Sequence, residues 1–332
     1  MRTSLETFVL QTKRAPSLPA PPLDDALAEA ILALAGAAKE IADLASYQGI
    51  GGASLGTLTG QENEDGDDQK QLDVMADDLI QRAIQQTNIG LYFSEEMSTS
   101  LEIKKTGALG LACDPLDGSS NIDTNLTIGT IFSIFKTDDC EGGLPPSGRS
   151  QLAAGMFVYG PQTSLLLRLG NELAAFALDK TGQFHKLDWQ IEIPKASHEF
   201  AINASNAAFW PAPIQSYING LCTGEQAQQS GMRWLGSLVA DAMRIFRRGG
   251  IFLYPQDSRA NYEAGRLRLA YEANPIAFLI EAAGGKATTG TMPILDVPVT
   301  SLHQRVPLIF GSSAMVGQVV DIISQSTKGP TS

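Results

Sequence analysis

The chain has 332 residues, 24 Lys and Arg against 36 Asp and Glu, a formal net charge of −12 and 43% hydrophobic residues. That length allows two domains of about 100–200 residues each, and the apolar content is globular rather than disordered. The acidity argues against nucleic acid or an anionic membrane surface as partner, and no stretch reaches the ~20 apolar residues of a membrane span.

Residues 1–23 read as an irregular arm ending in Pro19, Pro21 and Pro22. Its Phe8-Val9-Leu10 run is too short for a signal-peptide apolar region, so the chain is expected in the cytoplasm. Asp24 and Asp25 are expected to cap a helix running to about Ser46, with Leu27, Ile31, Leu34, Ala38, Ile41 and Leu44 on one face. A Gly-rich loop follows over Gly49 to Gly60; lacking a Lys-Ser/Thr ending, it is no nucleotide P-loop. An acidic run from Glu62 to Asp68 leads to a second amphipathic helix over Leu72 to Gln86. Short apolar strands are expected at Ile89 to Phe93, closed by Glu95-Glu96, and at Ala108 to Cys113. Asp114 to Asp123 reads as the place where this second strand ends and turns, before a β-rich run over Thr127 to Phe135. Strands continue through Val158, Leu165–Leu169 and Leu173–Leu178, and Asp188 to Ala196 reads as a link between domains 1–192 and 193–332. Beyond it, Phe200–Asn203, Gly236–Phe246, Gly250–Leu253 and Pro275–Ala283 alternate strand, helix, strand, helix, the pattern of an α/β domain.

The chemistry gathers in the first half. An acidic run alone is usually a solvated loop, and Asp-Pro-x-Asp-Gly alone an ordinary turn. Three acidic clusters here each adjoin a strand end or a helix start: Asp67-Asp68 with Asp73, Glu95-Glu96, and Asp114 with Asp117. Carboxylates and carbonyls suit hard divalent ions, while Gly118-Ser119-Ser120 offers N–H and hydroxyl donors to an anion. Metal and phosphate would meet at one corner, a signature of phosphoester chemistry. Cys113, Cys140 and Cys222 are too few and too scattered for a disulfide framework or a zinc site, and His185, His198 and His303 have no cluster partners.

Those motifs, with Gly129-Thr130-Ile131-Phe132, Gly236 to Asp241, Gly249 to Pro255, Leu267 to Pro275 and Glu281 to Ala287, make the chain resemble class I fructose-1,6-bisphosphatases over nearly its whole length. The acidic motifs are shared with the wider inositol-phosphatase-like sugar-phosphatase superfamily; the Tyr254 and Leu267–Pro275 segments narrow the resemblance. It implies an α/β fold, a layered α-β-α-β-α sandwich, with the active site between the domains. It implies metal-dependent hydrolysis of the 1-phosphate of fructose 1,6-bisphosphate, in gluconeogenesis or the Calvin cycle, by a homotetramer. Sedoheptulose-1,7-bisphosphatase or dual specificity is the alternative, and an inositol-monophosphatase-like enzyme a more distant one. The resemblance further implies two to three Mg²⁺ or Mn²⁺ ions held by Glu95, Asp114, Asp117, the Leu116 carbonyl, Glu272 and, for a loop-dependent ion, Asp67. Glu96, with Asp73, would take a proton from the attacking water. Asp117 and Gly118-Ser119-Ser120 would adjoin the 1-phosphate, and Asn203, Tyr254, Arg266 and a neighbouring subunit's Arg233 the 6-phosphate. Arg266 stands where mammalian members carry lysine, and Asn206 and Trp234 where they carry tyrosines. The Lys-Tyr pair of the mammalian AMP site is replaced by Ala108-Leu109, with only Lys136 keeping a charge nearby, which implies weak AMP binding.

Overall fold

The computed structural model describes residues 3–13, 23–47, 58–62, 68–223 and 228–327. Helices α1 (Leu5–Thr12) and α2 (Leu23–Ser46) come first, then a hairpin of β1 (Leu58–Glu62) and β2 (Asp68–Lys70), and then helix α3 (Gln71–Ile84). Asp24 and Asp25 lie within the first turn of α2 rather than before it, where their negative charge still complements the helix N-terminus. The expected face of α2 is buried at Leu27, Ile31, Leu34, Ala38 and Ile41, with Leu44 partly buried against the same core.

Strands β3 (Ile89–Ser94), β4 (Leu101–Glu102), β5 (Leu109–Asp117), β6 (Ile128–Lys136), β7 (Ala153–Tyr159), β8 (Ser164–Leu169), β9 (Glu172–Leu178) and β10 (Phe184–Lys186) form one sheet, ordered β10-β9-β8-β7-β6-β5-β3-β4. All nine residues of β5 are buried. A strand buried along its whole length needs cover on both faces. Leu109, Leu111 and Cys113 share a core with α2 and α3, whereas Ile131 of β6 and Met156 of β7 face the other way.

The second half of the chain covers that other face. It contains β11 (Glu199–Ile202), α4 (Ala212–Thr223), β12 (Gly231–Met232), α5 (Leu238–Arg248), β13 (Ile251–Tyr254), β14 (Leu267–Arg268), α6 (Asn274–Ala282), β15 (Lys286–Thr288), β16 (Arg305–Val306), β17 (Leu308–Gly311) and α7 (Ser313–Thr327). Its main sheet, ordered β12-β11-β13-β17-β15, is parallel from β12 to β13 and antiparallel beyond. Period-two alternation sorts β13: Phe252 packs inward with residues of α5, α6 and the larger sheet, while Ile251 and Leu253 pack outward on α4 and α7. The layers are therefore helix, sheet, helix, sheet, helix, as the α-β-α-β-α expectation requires. Helix α1, inside the arm expected to be irregular, helices α4 and α7 and the antiparallel β17 are not anticipated from sequence. None of the described helices is long and apolar enough to cross a membrane.

Candidate active site

The acidic corner departs from the sequence reading in one respect. Strand β5 does not end at Cys113; it runs through Asp114 and Pro115 to Asp117, and a bulge takes the place of the expected turn. Asp114 pairs with Ile131 and Asp117 with Gly129, so three steps on β5 oppose two on β6. The extra residue re-aims side chains locally, and a proline lacking an N–H is tolerated at such a position. The Thr130 hydroxyl donates to the Pro115 carbonyl at 2.8 Å and shares a hydrogen bond with the Tyr159 hydroxyl at 2.8 Å, which pins the bulge. The Leu116 N–H donates to Asp114 Oδ1 at 3.0 Å.

Asp117 is held from the second half of the chain. The Ser237 hydroxyl donates to it at 2.7 Å, and the N–H groups of Leu238 and Val239, at the N-terminus of α5, donate at 3.1 and 2.9 Å. A helix N-terminus favours a carboxylate in this place. Gly118 follows with φ +78°, and a Cβ there would lie 2.6 Å from Ser237 Cβ, so only glycine lets the chain turn against α5. Glu272 sits in a π-helical turn, Leu269–Ala273, inserted just before α6, and accepts from the Arg268 N–H at 2.6 Å. Arg268 Nη2 also lies 3.4 Å from Glu95 Oε1, and Glu95 is seated beside β5 by its N–H to the Cys113 carbonyl at 3.2 Å.

Asp114, Asp117 and Glu272, all buried, each offer an oxygen within 4.8 Å of the others. Burial, then the nearby Glu95, holds Asp114 and Glu272 well above the usual carboxylate range. Burial raises Asp117 to about 6, against the opposing pull of its Val239, Ser237 and Leu238 donors. Burial likewise pushes Asp73 up to about 7, opposed by the Lys70 N–H at 2.8 Å and reinforced by Glu95. Like charges crowded in low dielectric cannot all ionise unless a cation joins them. An all-oxygen, buried set with unmet negative charge is the donor chemistry of Mg²⁺ or Mn²⁺, so these residues fit such an ion.

The structure thus brings together Asp73, Glu95, Asp114, Asp117 and Glu272 from both halves of the chain. Leu116 is buried between the two aspartates in sequence, and Glu96 follows Glu95 with its N–H on the Ser94 hydroxyl at 3.2 Å. Asp67 lies outside the described residues. Ser119 and Ser120 open a 3₁₀ turn after Gly118, at the surface end of β5. Tyr254 ends β13, within electrostatic reach of Glu272, and hydrogen-bonds Arg266. Arg266 stacks on the Tyr262 ring at 3.6 Å, and its buried Nε has no protein partner. Asn203 caps the following 3₁₀ turn through the Ser205 N–H at 3.2 Å. Arg233 is exposed, and Trp234 beside it stacks on Phe252 and meets Tyr254 edge-on, both at 5.6 Å between centroids. Asn206 is buried. His185 and His303 do have partners: Asp179 for the first, Tyr271 and Met97 for the second. Sequence reasoning gave no role to Ser237 or Arg268, although both sit inside segments that carry the family resemblance.

Comparisons with known proteins bear on the family. Residues 8–188 match the model of the fructose-1-6-bisphosphatase N-terminal domain, and residues 193–324 that of its C-terminal domain. A class 1 fructose-1,6-bisphosphatase of Nitrobacter hamburgensis is 50% identical over 307 residues, covering 91% of this chain and 88% of that protein. One from Bradyrhizobium diazoefficiens is 48% identical over 302 residues, covering 90% and 87%. The holo crystal structure of Leishmania major fructose-1,6-bisphosphatase superposes with a TM-score of 0.88 at 29% identity, covering 98% of this chain and 99% of that one. With both domain models matched in order and half the aligned residues identical to those of a curated member, the chain belongs to the fructose-1,6-bisphosphatase family.

Proposed function

We propose that the protein hydrolyses the 1-phosphate of D-fructose 1,6-bisphosphate to fructose 6-phosphate and phosphate, using two to three Mg²⁺ or Mn²⁺ ions. The observation that carries this reading is the buried Asp114–Asp117–Glu272 cluster, contiguous with Gly118 on one side and, on the other, with Glu272 electrostatically close to Tyr254, which hydrogen-bonds Arg266. Glu95, Asp114, Asp117, the Leu116 carbonyl and Glu272 would hold the ions, joined by Asp67, which lies outside the described residues. When bound by these residues, divalent ions would supply neutralisation of the phosphate's charge and a lowered pKa for a water.

The chain's own groups divide the rest of the work. Gly118, Ser119 and Ser120 donate to the 1-phosphate. Glu96 and Asp73 accept the proton of the attacking water; Asp73 Oδ1 is buried with no protein partner, so it has an open acceptor site. Arg266, its guanidinium flat on Tyr262, presents a preorganised fork to the 6-phosphate with Tyr254 and Asn203. The domains 1–192 and 193–332 then meet at the site. Arg233 reaches a neighbouring subunit's pocket in a homotetramer. Free Cys113, Cys140 and Cys222 suit the reducing cytoplasm.

Phosphate release with fructose 1,6-bisphosphate, sedoheptulose 1,7-bisphosphate and inositol monophosphate, each with Mg²⁺ and with EDTA, tests the reading. Turnover should be fastest on the first, should vanish in EDTA, and should fall in Asp114→Ala by more than the ~10–100-fold of an outer-shell substitution. Full turnover in EDTA would overturn it.

A further inference from the structure

The metal-ligand candidates come from segments with very different restraints. Glu95 and Asp114 follow from one ladder: β3 and β5 are paired in parallel up to Ser94 opposite Cys113, and the Glu95 N–H bonds the Cys113 carbonyl. Their separation is a property of the sheet. Glu272 lies in a π-helical turn that shares no ladder with either strand. Packing of the buried Tyr271 against Phe93, Ala112 and Phe135 brings this turn to the sheet. Packing alone leaves a side chain slack that directional hydrogen bonds remove.

His303 supplies such bonds. Its Nε2 lies 2.9 Å from the Met97 carbonyl, at the end of the turn that carries Glu95 and Glu96. A carbonyl only accepts, so Nε2 carries a proton. Its Nδ1 lies 2.6 Å from the Tyr271 hydroxyl, beside Glu272. In the neutral ring Nδ1 accepts and the hydroxyl donates. The segment holding His303 also runs along the π-turn: Leu269 N–H donates to the Gln304 carbonyl at 2.7 Å, and β14 pairs with β16.

We propose that His303 is a positioning residue for the metal site, tying the Glu95–Glu96 turn to the Glu272 turn and so setting the spacing of ligands drawn from the two halves of the chain. The inference rests on the metal reading above. Arg268 also links these two segments, its Nη2 lying 3.4 Å from Glu95 Oε1, and His303 adds two directional hydrogen bonds to that link.

Mn²⁺ binding, read from the electron paramagnetic resonance signal of the free ion, tests this on wild type, His303→Phe, Tyr271→Phe and His303→Gln. His303→Phe keeps a ring against Tyr271 and removes both bonds. Tyr271→Phe removes only the hydroxyl, so it decides the matter if His303→Phe melts early. Both should bind Mn²⁺ about tenfold more weakly, with kcat restored at saturating Mn²⁺ and KM for the sugar bisphosphate unchanged. His303→Gln, whose amide can donate to Met97 and accept from Tyr271, should recover to within about threefold. Unchanged Mn²⁺ affinity in folded Tyr271→Phe, while wild type binds the ion, would overturn the inference and leave the metal reading standing. A wild type that binds no Mn²⁺ would remove both.

Discussion

Asp73→Asn separates what this site costs in stability from what it contributes to chemistry. Burial raises the Asp73 carboxyl from 3.8 to about 7, and its Oδ1 has no protein partner. Between those two values the folded chain holds a proton that the unfolded chain has released. The stabilisation from that proton is complete below about pH 4 and is lost as pH rises through about 7. At about 1.4 kcal/mol per unit, the loss reaches about 2 kcal/mol near pH 5.5 and about 4 kcal/mol above pH 7. Asparagine cannot ionise, and its carbonyl can still accept from the Lys70 N–H. Urea unfolding in EDTA, followed by tryptophan fluorescence, should therefore show Asp73→Asn equal to wild type near pH 4 and more stable by about 4 kcal/mol near pH 8. Added Mg²⁺ should narrow the gap, because cations beside Glu95 favour the ionised form of Asp73. The same variant should lose about 10²–10⁴-fold in kcat if the carboxylate accepts the proton of the attacking water. Parallel stability profiles for the two proteins would refute the electrostatic argument, and full activity in the variant would refute the catalytic one.

Two further outcomes follow from residues at the edge of the site. Arg233→Ala should raise KM for the bisphosphate by about 10–100-fold, the worth of a charge-assisted contact, while monophosphate hydrolysis barely changes; a monomer by light scattering with normal KM would contradict the trans-subunit role. AMP should inhibit only in the millimolar range, about −4 kcal/mol, since buried Leu109 and neighbouring Ala108 offer neither charge nor aromatic face and Lys136 stands alone; micromolar inhibition abolished by Lys136→Ala would show a surviving site.

The parts of the fold legible in the sequence are those governed by short-range periodicity. The apolar face of α2, the continuous apolar run of β5 and the alternation along β13 each express a local rule that a reader can apply to neighbouring residues. Helices α4 and α7 escaped because Pro211 and Pro213 at one start, and Gly311 with Ser312 and Ser313 at the other, read as loop chemistry. Asp114-Pro115-Leu116-Asp117-Gly118 reads as a turn for the same reason, since proline and glycine are turn residues in isolation. Pairing with β6 carries the strand through Pro115 to Asp117, the bulge absorbs the proline, and the turn begins only at Gly118.

The site divides along the same line. Its acids were visible because their identities and spacing state their chemistry. The groups that place those acids were not, because their meaning lies in contacts between distant parts of the chain. Ser237 carries no mark of a role in the sequence, yet its hydroxyl is turned to Asp117, 120 positions earlier. His303 reads as an isolated histidine, yet it meets Met97, 206 positions away. A cluster of buried carboxylates repels itself and would open without such restraints, since each added charge raises the cost of ionising the next. The clustered acids therefore require a framework of donors, and a donor of that kind carries no signature until the chain has folded around it.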